Sequence, residues 1–366
     1  MKKILKLTLS LFLILSSLAL ACTGITIKTL DNKIVQGRTI EYGESNLNSK
    51  LVVSPRGKEY QSLTPDGKLA GYKWKGKYGY VGASLITDMF IGEGINEAGL
   101  NAGLFYFPHY GSLTKYDKKI SKKSIVDMQV VSWILSNFAT VDEVKEGLKK
   151  IKVVNIGYDE KGNPLPTAHW RVADSKGGNI VIEIVNNGEV KIHDNKIGVL
   201  TNSPDYQWHV KNLNNYINLY AGNAKNFNVN GQEFFSFGAG TGAMGLPGDI
   251  TPSSRFVRAF YFLNTMKPAE TSKEAINEAF HILNNFDLPI GVEYPAEHKS
   301  YIPKDLPSAT QWTAISSLND REFYYKTMYN SQIRKVDLKK IDFSTVKYTV
   351  LPLDEKPEEN IQEITF

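Results

Sequence analysis

A single cysteine, Cys22, among 366 residues rules out any internal disulfide, so this chain can hold a fold only through packing and hydrogen bonding. The composition permits that. Apolar residues make up 42% and aromatics 11%, enough for a large core, and only the tail from Asp354 reads as a candidate for disorder. The cysteine also stands at a junction. Lys2, Lys3 and Lys6 form a positive start, an apolar run containing Ser10, Ser16 and Ser17 follows, and Ala19-Leu20-Ala21 fits the small-x-small rule for signal cleavage. A bilayer needs roughly 20 clean apolar residues, more than this run offers, so residues 1–21 read as a cleaved export signal and not as an anchor. Cleavage between Ala21 and Cys22 would leave a periplasmic or extracellular protein that begins with cysteine.

A cysteine at a chain start carries its own base. The freed α-amine titrates near ~8 and the thiol near ~8.5, so a nucleophile and a proton acceptor of matched basicity share one residue. The alternative is a secreted lipoprotein or binding module in which Cys22 is lipidated and catalysis is absent. Lipoprotein signals carry Leu three residues before the cysteine, whereas this chain has Ala19 there and Leu18 one step early.

Losing the signal removes three lysines and lowers the formal charge of +5 by three units, too weak a balance to imply nucleic acid or an anionic membrane as partner. The six histidines, His109, His169, His193, His209, His281 and His298, show no ligand spacing, so no metal is expected. Gly240-Thr241-Gly242-Ala243-Met244-Gly245 matches a dinucleotide fingerprint in letters only, because Pro247 and Pro252 fall where a helix would have to open. Ser112-Leu113-Thr114-Lys115 has the spacing of a serine acyl enzyme without that motif's companions.

Period and turn residues predict a hairpin of strands 23–30 and 34–42 starting at the nucleophile, and further strands at 77–85, 100–107, 168–173, 179–185, 189–193 and 197–201. Asn186-Asn187-Gly188 reads as a tight turn between two of these. Helices are expected over 125–139, 205–220 and 253–266, with two more opened by capping boxes at Thr140-Glu143 and Thr271-Glu274. Late strands follow at 310–318, 322–329, 332–338 and 346–351. Hairpin-linked strands alternating with helix blocks predict an α+β fold of antiparallel sheets, with 22–366 as a single domain.

Several segments, read in order, resemble the choloylglycine hydrolase and penicillin V acylase family, a branch of the N-terminal nucleophile hydrolases that cleave linear amide C–N bonds. They are Cys22-Thr23-Gly24, Gly37-Arg38, Asn96-Glu97-Ala98-Gly99-Leu100, Leu200-Thr201-Asn202-Ser203-Pro204, Gly245-Leu246-Pro247-Gly248-Asp249, Thr251-Pro252-Ser253-Ser254-Arg255 and Thr310-Gln311-Trp312-Thr313. The resemblance spans nearly all of the chain after the signal. It implies a four-layer αββα sandwich, a homotetramer and no cofactor.

It also implies roles. Cys22 would be the nucleophile, Arg38 the cation beside it, and Asn202 an oxyanion donor. Arg255 would approach the nucleophile from a helix start, where the macrodipole is unfavourable unless a carboxylate or ligand compensates. Glu41 stands where the family commonly has an aspartate bonding the terminal amine. An offset of three puts Arg38 and Glu41 on opposite faces of a regular strand, so both face the site only with a bulge or a strand end. The second oxyanion position falls on Phe105 when anchored on Ala102-Gly103-Leu104 and on Tyr106 when anchored on Phe107-Pro108; Tyr106 is the expected residue, since a tyrosine there resembles the penicillin V acylases. Tyr42, Phe90, Phe105 and Phe107 are candidates for an apolar acyl pocket, and equally for ordinary core. Glycine or taurine conjugates of bile acids and penicillin V are the expected substrates, ahead of N-acyl homoserine lactones.

Overall fold

The strand that carries Cys22 pairs on both sides. In this computed structural model, which describes residues 20–43, 46–165, 167–292 and 309–366, β1 (Leu20–Lys28) pairs with β2 (Ile34–Tyr42) from Leu20 opposite Tyr42 to Lys28 opposite Ile34. Asn32 takes a left-handed φ of 63° in the turn, and the Thr29 hydroxyl accepts from Lys33 N at 2.9 Å. β3 (Lys50–Ser54), the outlying hairpin β4 (Glu59–Leu63) and β5 (Leu69–Lys75), β6 (Tyr80–Leu85), β7 (Thr87–Asn96) and β8 (Asn101–Tyr106) come next. β9 (Ser124–Val126) and β10 (Lys152–Val154) pair in parallel around the helices Val130–Asn137 and Val141–Leu148.

β11 (Ala168–Ala173), β12 (Asn179–Val185), β13 (Glu189–Asp194) and β14 (Val199–Leu200) lead to the helix Tyr206–Asn212. A small hairpin, β15 (Phe227–Val229) and β16 (Gln232–Phe234), precedes the helices Pro252–Thr265 and Ser272–Asn284. β17 (Ala309–Ser317), β18 (Glu322–Thr327), β19 (Arg334–Asp337) and β20 (Thr349–Pro352) complete the chain.

Two large antiparallel sheets result. One has the order β14-β1-β2-β17-β18-β19 and the other β13-β12-β11-β8-β7-β6-β3-β20. Helices Pro252–Thr265 and Ser272–Asn284 pack on β1, β2 and β17, helix Val130–Asn137 packs on β7 and β8, and the sheets meet through β1 with β8 and β17 with β7. The fold is therefore an α+β sandwich of four layers, αββα. Every residue of β2 and β17 is buried, because helices cover one face and the second sheet the other. Polar residues on these strands must then find partners inside the protein. The sheets approach closely at Gly24, where a Cβ would lie 2.6 Å from both Arg171 Nη1 and Phe105 Cζ.

Several expectations need correction. The helix expected over 125–139 starts only at Val130, because the β-branched pair Ile125-Val126 lies in β9. The one expected over 205–220 ends at Asn212 and tightens into a 3-10 turn, Leu213–Tyr216. β3, β4, β5 and all of β7 lie in stretches where no strand was expected. Both capping boxes form: the Thr140 and Thr271 hydroxyls accept from Glu143 N and Glu274 N. The segment 240–245 is a loop with one 3-10 turn, Thr241–Ala243. From Asp354 the tail has no regular structure, yet Arg334 donates to Asp354 and Ser331 N to Glu359.

Candidate active site

Cys22 points from β1 into the space between the sheets, with 1% of its surface exposed. Register explains its first neighbour. Gly24 pairs with Arg38, so Arg38 shares the Cys22 face of the hairpin, and its Nη2 donates to Cys22 Sγ at 2.7 Å. The guanidinium is fully buried and spends its other donors on carbonyls: Nε on Thr39 O at 3.1 Å, Nη1 on Gly92 O at 3.0 Å and on Leu104 O. Phe105 lies beneath it, 4.3 Å from ring centroid to Cζ.

Tyr106 is the last residue of β8. Its backbone N–H bonds the Cys22 thiol. Its carbonyl accepts from Asn202 Nδ2 at 2.9 Å. Phe105 instead puts its ring between the Arg38 and Arg171 guanidiniums, buried in the core.

Asn202 follows β14, two residues beyond the pair that binds β14 to β1 at Gly24 and Leu200. Its Oδ1 accepts from Cys22 N at 2.8 Å and from Arg255 Nη2 at 2.8 Å. These two donors and the Tyr106 acceptor fix which way the amide faces. Nδ2 carries two protons, of which the Tyr106 carbonyl takes one.

Arg255 enters from the first turn of helix Pro252–Thr265. The expected compensating carboxylate is not its partner; oxygens of the backbone and neutral side chains are. Nη1 donates to Cys22 O and to Thr23 Oγ1 at 2.8 Å, and Nε donates to Ile250 O at 2.8 Å. The preceding Pro-Gly-Asp segment is held in turn: Ser254 Oγ donates to Asp249 Oδ2, and Arg258 Nη1 to Pro247 O and Asp249 O.

Glu41 projects from the opposite face of β2 to Arg38. Its Oε1 lies 3.1 Å from Thr310 Oγ1, whose single proton it shares with Phe286 O at 2.9 Å, just past helix Ser272–Asn284. The expected irregularity exists, but in the partner strand, where β17 shifts register between Thr310 and Trp312. Glu41 stands directly opposite Ala21.

Burial pushes the Cys22 thiol above its ordinary value. Arg38 pulls it down, Glu41 adds to the rise, and Arg255 and the Tyr106 N–H pull down again, without cancelling the cost of burial. A thiol of this kind needs a base to take its proton. The backbone nitrogen of Cys22, still a peptide nitrogen joined to Ala21 here, has no such basicity.

Sequence reasoning missed a second buried charge group. Arg171 donates from Nη2 to Glu93 Oε1 at 3.2 Å and from Nη1 to Ile25 O and Gly37 O, stitching β11 to β1 and β2. Burial lowers its guanidinium to about 10, despite Glu93. The signal was present in the strand His169-Trp170-Arg171, where a charge stands among residues of a buried strand. Tyr106 and Phe107 line a cavity of about 640 Å³ with Pro108, Tyr158 and Leu165, whereas Tyr42, Phe90 and Phe105 are packed in the core away from its lining. Among the described residues no three His, Cys, Asp or Glu side chains cluster as a metal would require.

An interior cysteine ringed by two arginines, an asparagine amide and a strand-end N–H, on an αββα sandwich, defines a hydrolase of the N-terminal nucleophile type in fold. The family model for linear amide C–N hydrolases of the choloylglycine hydrolase family matches residues 22–351, so its match begins on Cys22. The chain belongs to that family and is a linear amide C–N hydrolase. It is 36% identical over 321 residues to a bile salt hydrolase/transferase of Clostridium perfringens, covering 87% of this chain and 93% of that one. It is 25% identical to a penicillin V acylase of Pectobacterium atrosepticum, covering 94% and 88%. Among solved structures, a variant of the conjugated bile acid hydrolase from Clostridium perfringens superimposes with a TM-score of 0.78 at 31% identity, over 94% of this chain and all of that one.

Proposed function

We propose that the chain is exported, cut between Ala21 and Cys22, and hydrolyses conjugated bile acids or penicillin V through a thioester on Cys22. The observation that carries this reading is the set of contacts around one sulfur: Arg38 Nη2 at 2.7 Å, the Tyr106 N–H, and Asn202 bound to the residue's own nitrogen. In the first step Cys22 Sγ attacks the amide carbonyl and its proton passes to the freed α-amine. The carbonyl oxygen, now negative, is met by the second Asn202 Nδ2 proton and the Tyr106 N–H, donors worth roughly 3 kcal/mol of barrier each in a dry site. The C–N bond breaks and the leaving amine takes the proton. Water then attacks the thioester with the α-amine as base, releasing the acid and restoring the thiol.

Arg38 favours thiolate as it forms, and Arg255 holds the Cys22 and Asn202 oxygens in place. Removal of Ala21 leaves Glu41 facing the new terminus. Phe107 and Tyr106 supply an apolar wall for the acyl group, in a cavity of a size suited to a small molecule. The buried position of Cys22 supports this reading over a lipid anchor, since a diacylglyceryl chain would have to thread between the sheets.

Among the described residues, no helix is long and apolar enough to cross a membrane. Exposed Phe227, Phe234, Phe235 and Phe237 on and beside the β15–β16 hairpin favour self-association, in line with a homotetramer. The test is a side-by-side assay of processed protein and its Cys22→Ala variant on glycocholate, taurocholate and penicillin V. Turnover of at least one by the processed protein and of none by the variant is expected. Undiminished turnover by Cys22→Ala rejects the mechanism.

A further inference from the structure

Asn202 is gripped from behind. The carbonyl of Thr201 accepts from His169 Nε2 at 3.0 Å and the carbonyl of Asn202 itself from His209 Nε2 at 2.9 Å, so two imidazoles hold the successive peptide groups on either side of the Asn202 Cα. Each ring lies flat on a phenylalanine, His169 on Phe107 at 4.4 Å and 7°, His209 on Phe256 at 4.7 Å and 11°. Both histidines are fully buried.

His169 has acceptors at both ring nitrogens. Nε2 meets the Thr201 carbonyl, and Nδ1 lies 3.3 Å from Glu183 Oε1. The Thr201 carbonyl can only accept, so the proton on Nε2 makes that bond. Tyr206 N donates to Glu183 Oε1 at 2.8 Å and holds the carboxylate beside the ring. His209 differs. Its Nδ1 has no hydrogen-bond partner, so one proton on Nε2 suffices. His209, Arg255 and Asp205 are the other titratable groups acting in this cluster.

We propose that His169 and His209 are positioning residues that clamp the Thr201–Asn202 backbone and so aim the Asn202 amide at the Cys22 site, an inference that rests on the nucleophile reading above. Strand β11, which carries His169, thereby joins the second sheet to the reaction centre on the first.

NMR of the folded wild-type protein with isotope-labelled histidine reads the bond directly: a His169 Nε2 proton hydrogen-bonded across to the Thr201 carbonyl is expected, and a bare Nε2 overturns the clamp. Kinetics test the clamp on whichever of glycocholate or penicillin V is turned over. His169→Ala lowers kcat by about 30-fold to 100-fold with KM within about threefold, as a misaimed donor should. His169→Gln, whose side-chain N–H can reach the Thr201 carbonyl, regains most of the loss. Wild-type kcat in His169→Ala, or equal losses in both variants, overturns the clamp. Should the alanine variant not fold, the glutamine variant decides alone: kcat within about fivefold of wild type upholds the clamp, and a larger loss overturns it. Turnover by Cys22→Ala would refute the nucleophile reading instead, leaving the NMR result untouched.

Discussion

Ala21 sits directly opposite Glu41 in the pairing of β1 with β2, so the residue before Cys22 occupies a ladder position in the sheet that carries the site. The proposed cut after Ala21 would open the strand end beside a Cys22 nitrogen that Asn202 Oδ1 already holds.

A protein that retains Ala21 should fold normally and turn over at least about 10²-fold more slowly than processed protein, since it lacks the general base. Intact mass and kcat measured on the same preparations check this. Equal kcat for forms with and without the leader would contradict it.

Arg38→Met should move the alkaline inflection of Cys22 alkylation to higher pH, because the guanidinium opposes the upward push of burial on this thiol. The same change strands the Gly92 and Leu104 carbonyls, at a cost of about 2–4 kcal/mol in denaturant unfolding.

Acid should weaken the Asn202 clamp in two stages. Burial brings His209 down to about 4, so the unfolded chain takes up a proton first; the stabilisation is complete above about 6.5 and is lost as pH falls through about 4. Burial pushes Glu183 up, but hydrogen bonds from His169 and His193 outweigh it and hold the carboxyl at about 2; its contribution, complete above about 4.5, is lost as pH falls through about 2. Thermal unfolding of His209→Gln should show a flatter slope between about pH 6.5 and 4 than wild type, whereas Glu183→Gln should flatten only the lower stage.

Gly24→Ala should destabilise by about 1–3 kcal/mol, because its Cβ would press on Phe105 and Arg171 across the sheet interface. Ordinary unfolding curves measure it. Wild-type stability would mean that the sheets can part there at no cost.

Local signals carried much of the architecture. Asp31-Asn32-Lys33 marked the first hairpin, the Thr-x-x-Glu boxes marked two helix starts, and Asn186 and Asn187 both take the positive φ that their turn needs. β3 to β5 escaped because lysines, glycines and tyrosines there break a clean period of two, and strands so patterned declare themselves only when paired. The β-branched start of the helix expected at 125 went the same way, overruled by its pairing with β10.

The site divides along the same line. Residue type and order alone pointed to Cys22, Arg38, Glu41, Asn202 and Arg255, because a lone cysteine after a signal-like apolar run and the family's motifs are properties of the linear chain. Which of Phe105 and Tyr106 turns its N–H to the sulfur and that His169 stands behind Asn202 were decided only when β8 and β11 packed over β1, and the contact Glu41 makes only when β17 paired with β2. Those relations join residues up to 269 positions apart. They depend on strand register and sheet spacing, which arise from the whole packed core and are written in no single segment.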